Sequence, residues 1–279
     1  MTKAFWDDAF DNMGHVKGSA GLPEFWAKRA AEYRDALPSE SLKVDIAYAD
    51  RARQKLDIVW PDGPAQGLVV FIHGGFWMRL DESYWTDLAE GVRANGWAVC
   101  FPSYTLAPEA RISDMTAEMG LAINLAAAQV EGPIVLAGHS AGGHLVSRML
   151  CDDSPLKPSI LERVQRCVSI SGLHDLRPLR HTTMNDTLHL DAEEAARESA
   201  VLHTPCSAVP LICWVGGAER PEFIRQAQVM AMMWAGLDTP TRACLDPGHD
   251  HFTILEGLKS PESDITKTLL GLAQNGDTL

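Results

Sequence analysis

The sequence of 279 residues lacks an apolar run of 18 residues, and its first residues carry acids where a signal peptide would have an apolar core. It also lacks a block of basic residues, and its formal net charge is −13. Nucleic acids and anionic membranes are bound by clustered lysine and arginine, so neither is expected as a partner. None of the six cysteines forms a Cys-x-x-Cys pair. The sequence therefore predicts a soluble protein of the reducing cytoplasm without disulfides.

Short apolar runs alternate with segments of helical periodicity along the chain. Eight runs have the length and composition of strands: 43–49, 55–60, 67–72, 97–101, 134–137, 164–170, 211–215 and 241–245. Helices are predicted at 23–37, 114–129, 141–151, 221–235 and 264–273, with a short one at 191–200. This alternation is typical of a mostly parallel, eight-stranded sheet with helices on both faces. We predict one α/β domain over 1–279, with a small lid formed by segments 1–40 and 173–204.

One serine lies between glycines where a predicted strand meets a predicted helix. The stretch Gly138-His139-Ser140-Ala141-Gly142 has the spacing of a nucleophile elbow, Gly-x-Ser-x-Gly, in a strand-turn-helix context. Glycines belong there because larger side chains would clash with the strand and the helix. The alternative is a glycine-rich turn whose serine only caps the helix. The context favours Ser140 as a nucleophile at the carboxyl edge of the sheet.

A nucleophilic serine needs hydrogen-bond donors for the oxyanion that it creates. The loop at 73–77, His-Gly-Gly-Phe-Trp, follows the third predicted strand, where elbow-type hydrolases place half of their oxyanion hole. A plain turn is the alternative. We predict that the oxyanion is held by the backbone N–H groups of Gly74, Gly75 and Ala141. Substrate contacts are predicted for Phe76, Trp77 and His139.

The base and the acid are expected late in the chain, because elbow-type hydrolases order their triad as serine, acid and histidine. Only His249 and His251 follow residue 203, and both lie in the loop after the last predicted strand. The acid should follow the preceding strand. Glu219 comes soon after its two glycines and is favoured, whereas Glu222 follows Pro221, which signals the start of a helix. The two histidines could also be a metal pair, but the nearby acids lack zinc-site spacing, so no metal or cofactor is predicted.

These motifs together resemble those of the α/β-hydrolase superfamily, from about residue 43 onward, and within it those of the kynurenine formamidases. That family has a His-Gly-Gly-aromatic-Trp motif, here residues 73–77, and a Gly-His-Ser-Ala-Gly elbow, here residues 138–142. Its acid lies in an Asp-Ser-Pro-Glu-Phe stretch, here 219–223 with Glu in place of Asp, and its histidine in Asp-His-Phe, here 250–252. The resemblance implies an α/β-hydrolase fold and a catalytic triad of Ser140, His251 and Glu219.

The implied activity is hydrolysis of a small carboxylic ester or aryl-formamide through an acyl-enzyme. A second resemblance, of residues 104–109 to the Tyr-x-Leu-Ala-Pro-Glu segment of hormone-sensitive-lipase-type esterases, implies a general short-chain carboxylesterase instead. Thioesterases and amidases use the same machinery. An alternative of another class is a non-catalytic binding protein on the same scaffold, although such proteins usually lose the serine, the base or the oxyanion glycines. The sequence does not decide between a monomer and a homodimer.

Overall fold

Eight strands form one sheet within residues 1–272, which are the residues that the computed structural model of this chain describes. The strands are β1 (Leu42–Ala47), β2 (Lys55–Val59), β3 (Leu68–Ile72), β4 (Ala98–Pro102), β5 (Ile134–His139), β6 (Val164–Ile170), β7 (Leu211–Gly216) and β8 (Thr241–Asp246). Their order in the sheet is β1-β2-β4-β3-β5-β6-β7-β8. Only the pairs β1–β2 and β2–β4 are antiparallel. The predicted mostly parallel sheet of eight strands is confirmed.

Helices fill the connections between the strands. The α-helices are α1 (Lys3–Phe10), α2 (Asn12–His15), α3 (Leu22–Ala36), α4 (Glu90–Ala94), α5 (Ile112–Gln129), α6 (Ala141–Arg148), α7 (Pro158–Leu161), α8 (Asn185–Leu188), α9 (Ala192–Arg197), α10 (Pro221–Ala235) and α11 (Asp264–Leu270). Short 3-10 helices lie at Ser19–Gly21, Ser39–Ser41, Glu82–Tyr84, Thr86–Ala89, Arg177–His181, Ala200–Leu202 and Thr253–Lys259. None of the helices within residues 1–272 is long and apolar enough to span a membrane.

The predicted helices correspond to α3, α5, α6, α9, α10 and α11, and most of their ends agree within three residues. Proline lies in the first turn of both α3 and α10. It is tolerated there because backbone N–H groups of the first turn have no acceptor within the helix, so its lack of an N–H costs no hydrogen bond. The last residue of the predicted helix at 264–273 lies outside the described residues. All six cysteines lie inside them, and none of the six is in a disulfide.

Two hydrophobic layers cover the sheet, one on each face. Strand β3 shows the cause, because successive side chains of a strand point to opposite faces. Leu68, Val70 and Ile72 pack into the layer beneath α5, α6 and α10. Val69 and Phe71 pack into the other layer, which contains residues of α3, α4 and α11. A strand buried on both faces reads as a continuous apolar run, which is how β3 appears in the sequence.

The parallel strands bring five loops to one edge of the sheet. Strands β3, β5, β6, β7 and β8 are consecutive neighbours and run in the same direction, so their carboxyl ends lie side by side. The loops that leave these ends carry the His-Gly-Gly motif, Ser140, the segment after β6, Glu219 and the two late histidines, in that order across the sheet. Residues far apart in sequence therefore meet at this edge.

Candidate active site

Ser140 lies at a sharp turn between β5 and α6. Its backbone has φ 55° and ψ −116°, a left-handed φ that non-glycine residues rarely adopt. A Cβ atom on Gly138 would lie 2.2 Å from the carbonyl oxygen of Gly142, and one on Gly142 would lie 1.9 Å from that of Ile72. Neither position can hold a side chain without moving the backbone. The two glycines of the elbow are therefore a steric requirement of the turn.

The side chain of Ser140 is buried but unpaired. The backbone is held at both ends, since the Ser140 N–H donates to Ile170 O at 2.8 Å and the Ser140 carbonyl accepts from the His144 N–H at 3.1 Å. Its Oγ, in contrast, hydrogen-bonds to no atom of residues 1–272. A buried hydroxyl is usually paired, so an unpaired one beside a cavity is available to react with a ligand.

The loop after β3 packs directly against this serine. A Cβ atom on Gly74 would lie 3.0 Å from Ser140 Cβ and equally close to the ring and carbonyl of His139, so only glycine allows this approach. Gly75, Phe76 and Trp77 all have positive φ, and the N–H groups of the next two residues donate to Gly75 O. The N–H groups of Gly74, Gly75 and Ala141 donate to no acceptor among the described residues. They are free to bind an oxyanion.

A histidine and a carboxylate form a buried pair at the same edge of the sheet as Ser140. The Nδ1 of His251 lies 2.7 Å from Glu219 Oε2, and the two side chains are 4% and 0% exposed. Glu219 Oε1 accepts from Ser171 Oγ at 2.5 Å and from the Gly216 N–H at 2.8 Å. These donors compensate for the burial of the charge. Because the carboxylate accepts from Nδ1, the imidazole proton sits on Nδ1 and Nε2 is left as the basic atom.

The loops that carry this pair are joined by backbone hydrogen bonds. The Gly217 N–H donates to Asp246 O at 2.7 Å, and the Ala218 N–H donates to His249 O at 3.0 Å. A Cβ atom on Gly216 would lie 2.2 Å from His249 O, so glycine is needed where the loops cross. The separation of acid and histidine is therefore set by the sheet edge and not by flexible side chains.

The structure places the other two candidates elsewhere. His249 is 41% exposed, and its Nε2 lies 3.9 Å from Asp246. The carboxylate of Glu222 accepts two hydrogen bonds from Arg225, at 2.7 Å and 2.8 Å, in the first turn of α10. Of the four side chains considered from the sequence, only Glu219 and His251 contact each other.

His139 supports His251 from the elbow. The two rings have centroids 4.6 Å apart, and His139 Nε2 donates to the carbonyl oxygen of His251 at 2.8 Å. Burial holds the pKa of His139 well below its usual value, so the ring is neutral and does not repel a charged His251. The ring of Phe223 also lies 4.6 Å from that of His251. The imidazole of His251 is thus held in position by contacts with both rings.

A cavity of about 940 Å³ opens over these groups. Its lining includes most of the predicted site residues, namely Gly74, Gly75, Phe76, His139, Ser140 and His251. The N-terminal segment contributes residues to the wall as well: Asp7, Asp8, Phe10, Asp11, Asn12, Met13, Pro23 and Trp26. Thr183, Met184 and Thr187 enter from the insertion after β6. The Asp7 carboxylate links both segments, because it accepts from the Thr183 N–H at 2.5 Å and from its hydroxyl at 2.8 Å.

Trp77, for which the sequence predicts a substrate contact, does not line the cavity. Trp77 is fully buried in the core, where its ring packs edge-on against His144 with centroids 5.3 Å apart. The positive φ of Phe76 and Trp77 turns the chain so that Phe76 lines the cavity and Trp77 points away from it. Sequence reasoning also missed Ser171 as a partner of the acid. Its position at the end of β6, between the strands that carry serine and acid, was the available signal.

Two groups of side chains in residues 1–272 have the spacing of metal ligands. Each brings one ligand atom per residue to within 4.8 Å of the others: Cys151, Asp153 and His203, and Asp45, Asp57 and Glu82. Neither group lines the cavity. Protein partners already occupy both, since Arg148 binds Asp153 and Lys55 binds Asp45 and Glu82.

The fold and the elbow define the class to which the protein belongs. A family model described as "alpha/beta hydrolase fold" matches residues 69–208, and this chain is a member of the alpha/beta hydrolase family. A protein of Silicibacter sp. TM1040, provisionally described as a thioesterase, has 41% identity and a TM-score of 0.89 over 95% of this chain and 98% of its own. Esterase B of Lactobacillus rhamnosis has 16% identity and a TM-score of 0.67, over 90% and 91%, which shows the shared fold alone.

Curated relatives of this chain are kynurenine formamidases. That of Danio rerio is 27% identical over 238 residues, which are 81% of this chain and 80% of the fish protein. That of Drosophila melanogaster is 22% identical over 250 residues, which are 85% of this chain and 83% of the fly protein. The match extends over most of both chains and is not limited to the elbow motif.

Proposed function

We propose that this protein is a serine hydrolase that cleaves an aryl-formamide or a carboxylic ester, with kynurenine formamidase activity as the leading candidate. The observation that carries the proposal is the buried pair of His251 and Glu219, 2.7 Å apart, whose histidine lines the same cavity as the unpaired hydroxyl of Ser140. The names of the curated relatives support the formamide as substrate. A binding protein would have no need of a histidine held in the tautomer of a base.

The geometry suits a double-displacement mechanism. Ser140 Oγ attacks the carbonyl carbon of the substrate while its proton passes to Nε2 of His251, and Glu219 stabilises the imidazolium. The N–H groups of Gly74, Gly75 and Ala141 hold the negative charge on the carbonyl oxygen. The intermediate then collapses, and His251 protonates the departing amine or alcohol. A water molecule next attacks the acyl-serine, gives its proton to His251, and releases formate or another carboxylic acid with regeneration of Ser140.

The N-terminal segment and the insertion at 173–204 act as the lid of this site. Both contribute to the cavity wall, and Asp7 of α1 binds Thr183 of the insertion. Among the cavity residues that they supply, Phe10 and Trp26 are apolar, whereas the carboxamide nitrogen of Asn12 is buried without a partner among the described residues. An unpaired buried amide favours ligands that offer it an acceptor oxygen.

A short-chain carboxylesterase or thioesterase is the second candidate. The relative with 41% identity is provisionally described as a thioesterase, and a cavity of about 940 Å³ is far larger than a formyl group. All three activities use the same nucleophile, so only the acyl group and the leaving group distinguish them.

A substrate panel tests the proposal. The purified protein is assayed with N-formylkynurenine, p-nitrophenyl acetate, p-nitrophenyl butyrate and acetyl-coenzyme A, and Ser140→Ala is assayed alongside. We expect the highest kcat/KM for the formamide, and loss of all activity in the variant. Hydrolysis of acetyl and butyryl esters at equal rates, without hydrolysis of the formamide, would exclude a formamidase and support the esterase. Unchanged turnover by Ser140→Ala would refute the whole mechanism.

A further inference from the structure

Ser171 has an unfavourable backbone conformation at a buried position. It is the residue directly after β6, the strand between those that lead to Ser140 and Glu219. It is fully buried and has φ 51°, in the left-handed region that favours glycine. Its N–H donates to Trp214 O at 2.7 Å, which keeps the residue in line with β7. A non-glycine residue in such a conformation persists only where the surrounding structure holds it in place.

The side chain of Ser171 contacts the acid of the candidate triad. The Ser171 hydroxyl donates to Glu219 Oε1 at 2.5 Å, and the Gly216 N–H donates to the same oxygen at 2.8 Å. The other oxygen, Oε2, is left for His251 Nδ1 at 2.7 Å. Apart from His251, Ser171 is the only residue within 1–272 whose side chain hydrogen-bonds to Glu219. The two donors on Oε1 fix the rotation of the carboxylate and therefore the direction in which Oε2 points.

We propose that Ser171 is a positioning residue for catalysis, whose hydroxyl orients the Glu219 carboxylate opposite His251. The inference rests on the proposed function, since it assigns a partner to the acid of that triad. A donor to a carboxylate stabilises the charged form, and a buried carboxylate depends on such donors more than an exposed one. Without the hydroxyl, the carboxylate would turn more freely and would hold the imidazole of His251 less firmly.

The pH dependence of activity reports a change in the contact between Glu219 and His251 if no other nearby group titrates within the pH range of the assay. Within residues 1–272, the titratable and charged groups on the elements next to the pair include His139, Arg220, Glu222, Asp246, His249 and Asp250. Glu222 binds Arg225. Burial keeps the pKa of His139 well below its usual value. Burial raises the pKa of Asp250, but backbone hydrogen bonds from residues 252 and 253 leave it below its usual value. His249 faces Asp246, and Arg220 binds Asp8, so neither touches the pair.

Two substitutions separate the hydroxyl from the backbone. Ser171→Ala removes the hydroxyl and keeps the left-handed strain, whereas Ser171→Gly removes both. Ser169→Ala is the matched control: it removes a fully buried hydroxyl two residues earlier on the same strand, where Ser169 Oγ donates to Gly143 O and contacts His174. Thermal unfolding shows that each variant is folded, and kcat/KM for p-nitrophenyl acetate is measured from pH 5 to pH 9.

For both Ser171 variants we expect kcat/KM at pH 7 to fall by about tenfold to a hundredfold, as for the loss of a hydrogen bond to a charged group. The acidic limb of the pH profile should shift relative to that of the wild type, because it reports protonation of the base that Glu219 holds. Ser169→Ala should keep the wild-type profile.

An unchanged profile in Ser171→Gly would overturn the inference, as would the same shift in Ser169→Ala. Normal activity in Ser171→Gly with a loss in Ser171→Ala would also overturn it, because strain would then explain the loss. These results leave the proposed function intact, whereas activity of Ser140→Ala in the same assay would refute it.

Discussion

Glu219→Gln is the substitution whose consequence follows most directly from the geometry of the site. Glutamine keeps the size of the side chain but replaces one carboxylate oxygen with an NH₂ group. The position of Oε1 receives hydrogen bonds from the Gly216 N–H and the Ser171 hydroxyl. A backbone N–H can only donate, so the oxygen of the glutamine must occupy this position. The NH₂ group then faces Nδ1 of His251 in place of Oε2.

The magnitude follows from the tautomer of the imidazole. Opposite an NH₂ group, Nδ1 must accept, so the ring proton moves to Nε2 and the histidine can no longer take the proton of Ser140. The equivalent acid-to-amide change in a serine protease lowers kcat by about 10⁴. In transition-state free energy this is about 5.5 kcal/mol. We expect a loss of this order in kcat, with little change in thermal stability because the side chain keeps its shape.

The assay measures kcat of Glu219→Gln and of the control Glu222→Gln with p-nitrophenyl acetate and with N-formylkynurenine. Glu222 contacts Arg225 and Gln226 but not His251, so its variant should stay within about threefold of wild type. A Glu219→Gln enzyme with more than a tenth of wild-type kcat would refute the reasoning. So would a larger loss in the Glu222 variant.

Two further predictions concern the oxyanion loop and acid stability. Gly74→Ala places a Cβ atom 3.0 Å from Ser140 Cβ and should displace a donor of the proposed oxyanion hole. The kcat for p-nitrophenyl acetate should therefore fall by about 10²–10³, and a loss below tenfold would contradict this role. Burial lowers the pKa of three histidines, to about 4, 3 and 3 respectively for His73, His144 and His174. The unfolded chain then binds protons before the folded one, so the free energy of unfolding should fall as pH drops below about 6.5. At pH 5 each histidine should lower the free energy of unfolding by about 2 kcal/mol. Equal denaturant midpoints at pH 7 and pH 5 would contradict this prediction.

The fold was predictable wherever one local pattern served one structural role. The strand predicted at 164–170 and the helix predicted at 221–235 match β6 and α10, because a buried parallel strand and a proline-initiated helix have strong local signals. Helices α1 and α2 were not predicted individually. These helices are held in place by residues far away in the sequence: the ring of Phe10, for example, lies 6.1 Å from that of Phe223. Such contacts leave no periodic pattern in the N-terminal segment itself.

The candidate site was predictable to the extent that its residues carry local steric demands. The glycines of the elbow and of the loop at 74–75 mark places where the backbone excludes side chains, and such constraints are visible in the sequence. The direction of the Trp77 side chain was not predictable, because adjacency to that loop does not fix it, and a left-handed turn places the ring in the core. Ser171 was missed because its contact with Glu219 joins residues 48 positions apart, which only the strand order brings together.

The central claim is that Ser140 is the nucleophile and His251 its base, and covalent labelling tests it most directly. Wild-type protein, Ser140→Ala and His251→Ala are treated with a fluorophosphonate, and the adduct is located by peptide mass spectrometry. We predict one adduct, on the peptide that contains Ser140, no adduct in Ser140→Ala, and labelling slowed by several orders of magnitude in His251→Ala. An adduct on another serine, or none in a protein that hydrolyses its substrate, would contradict the account.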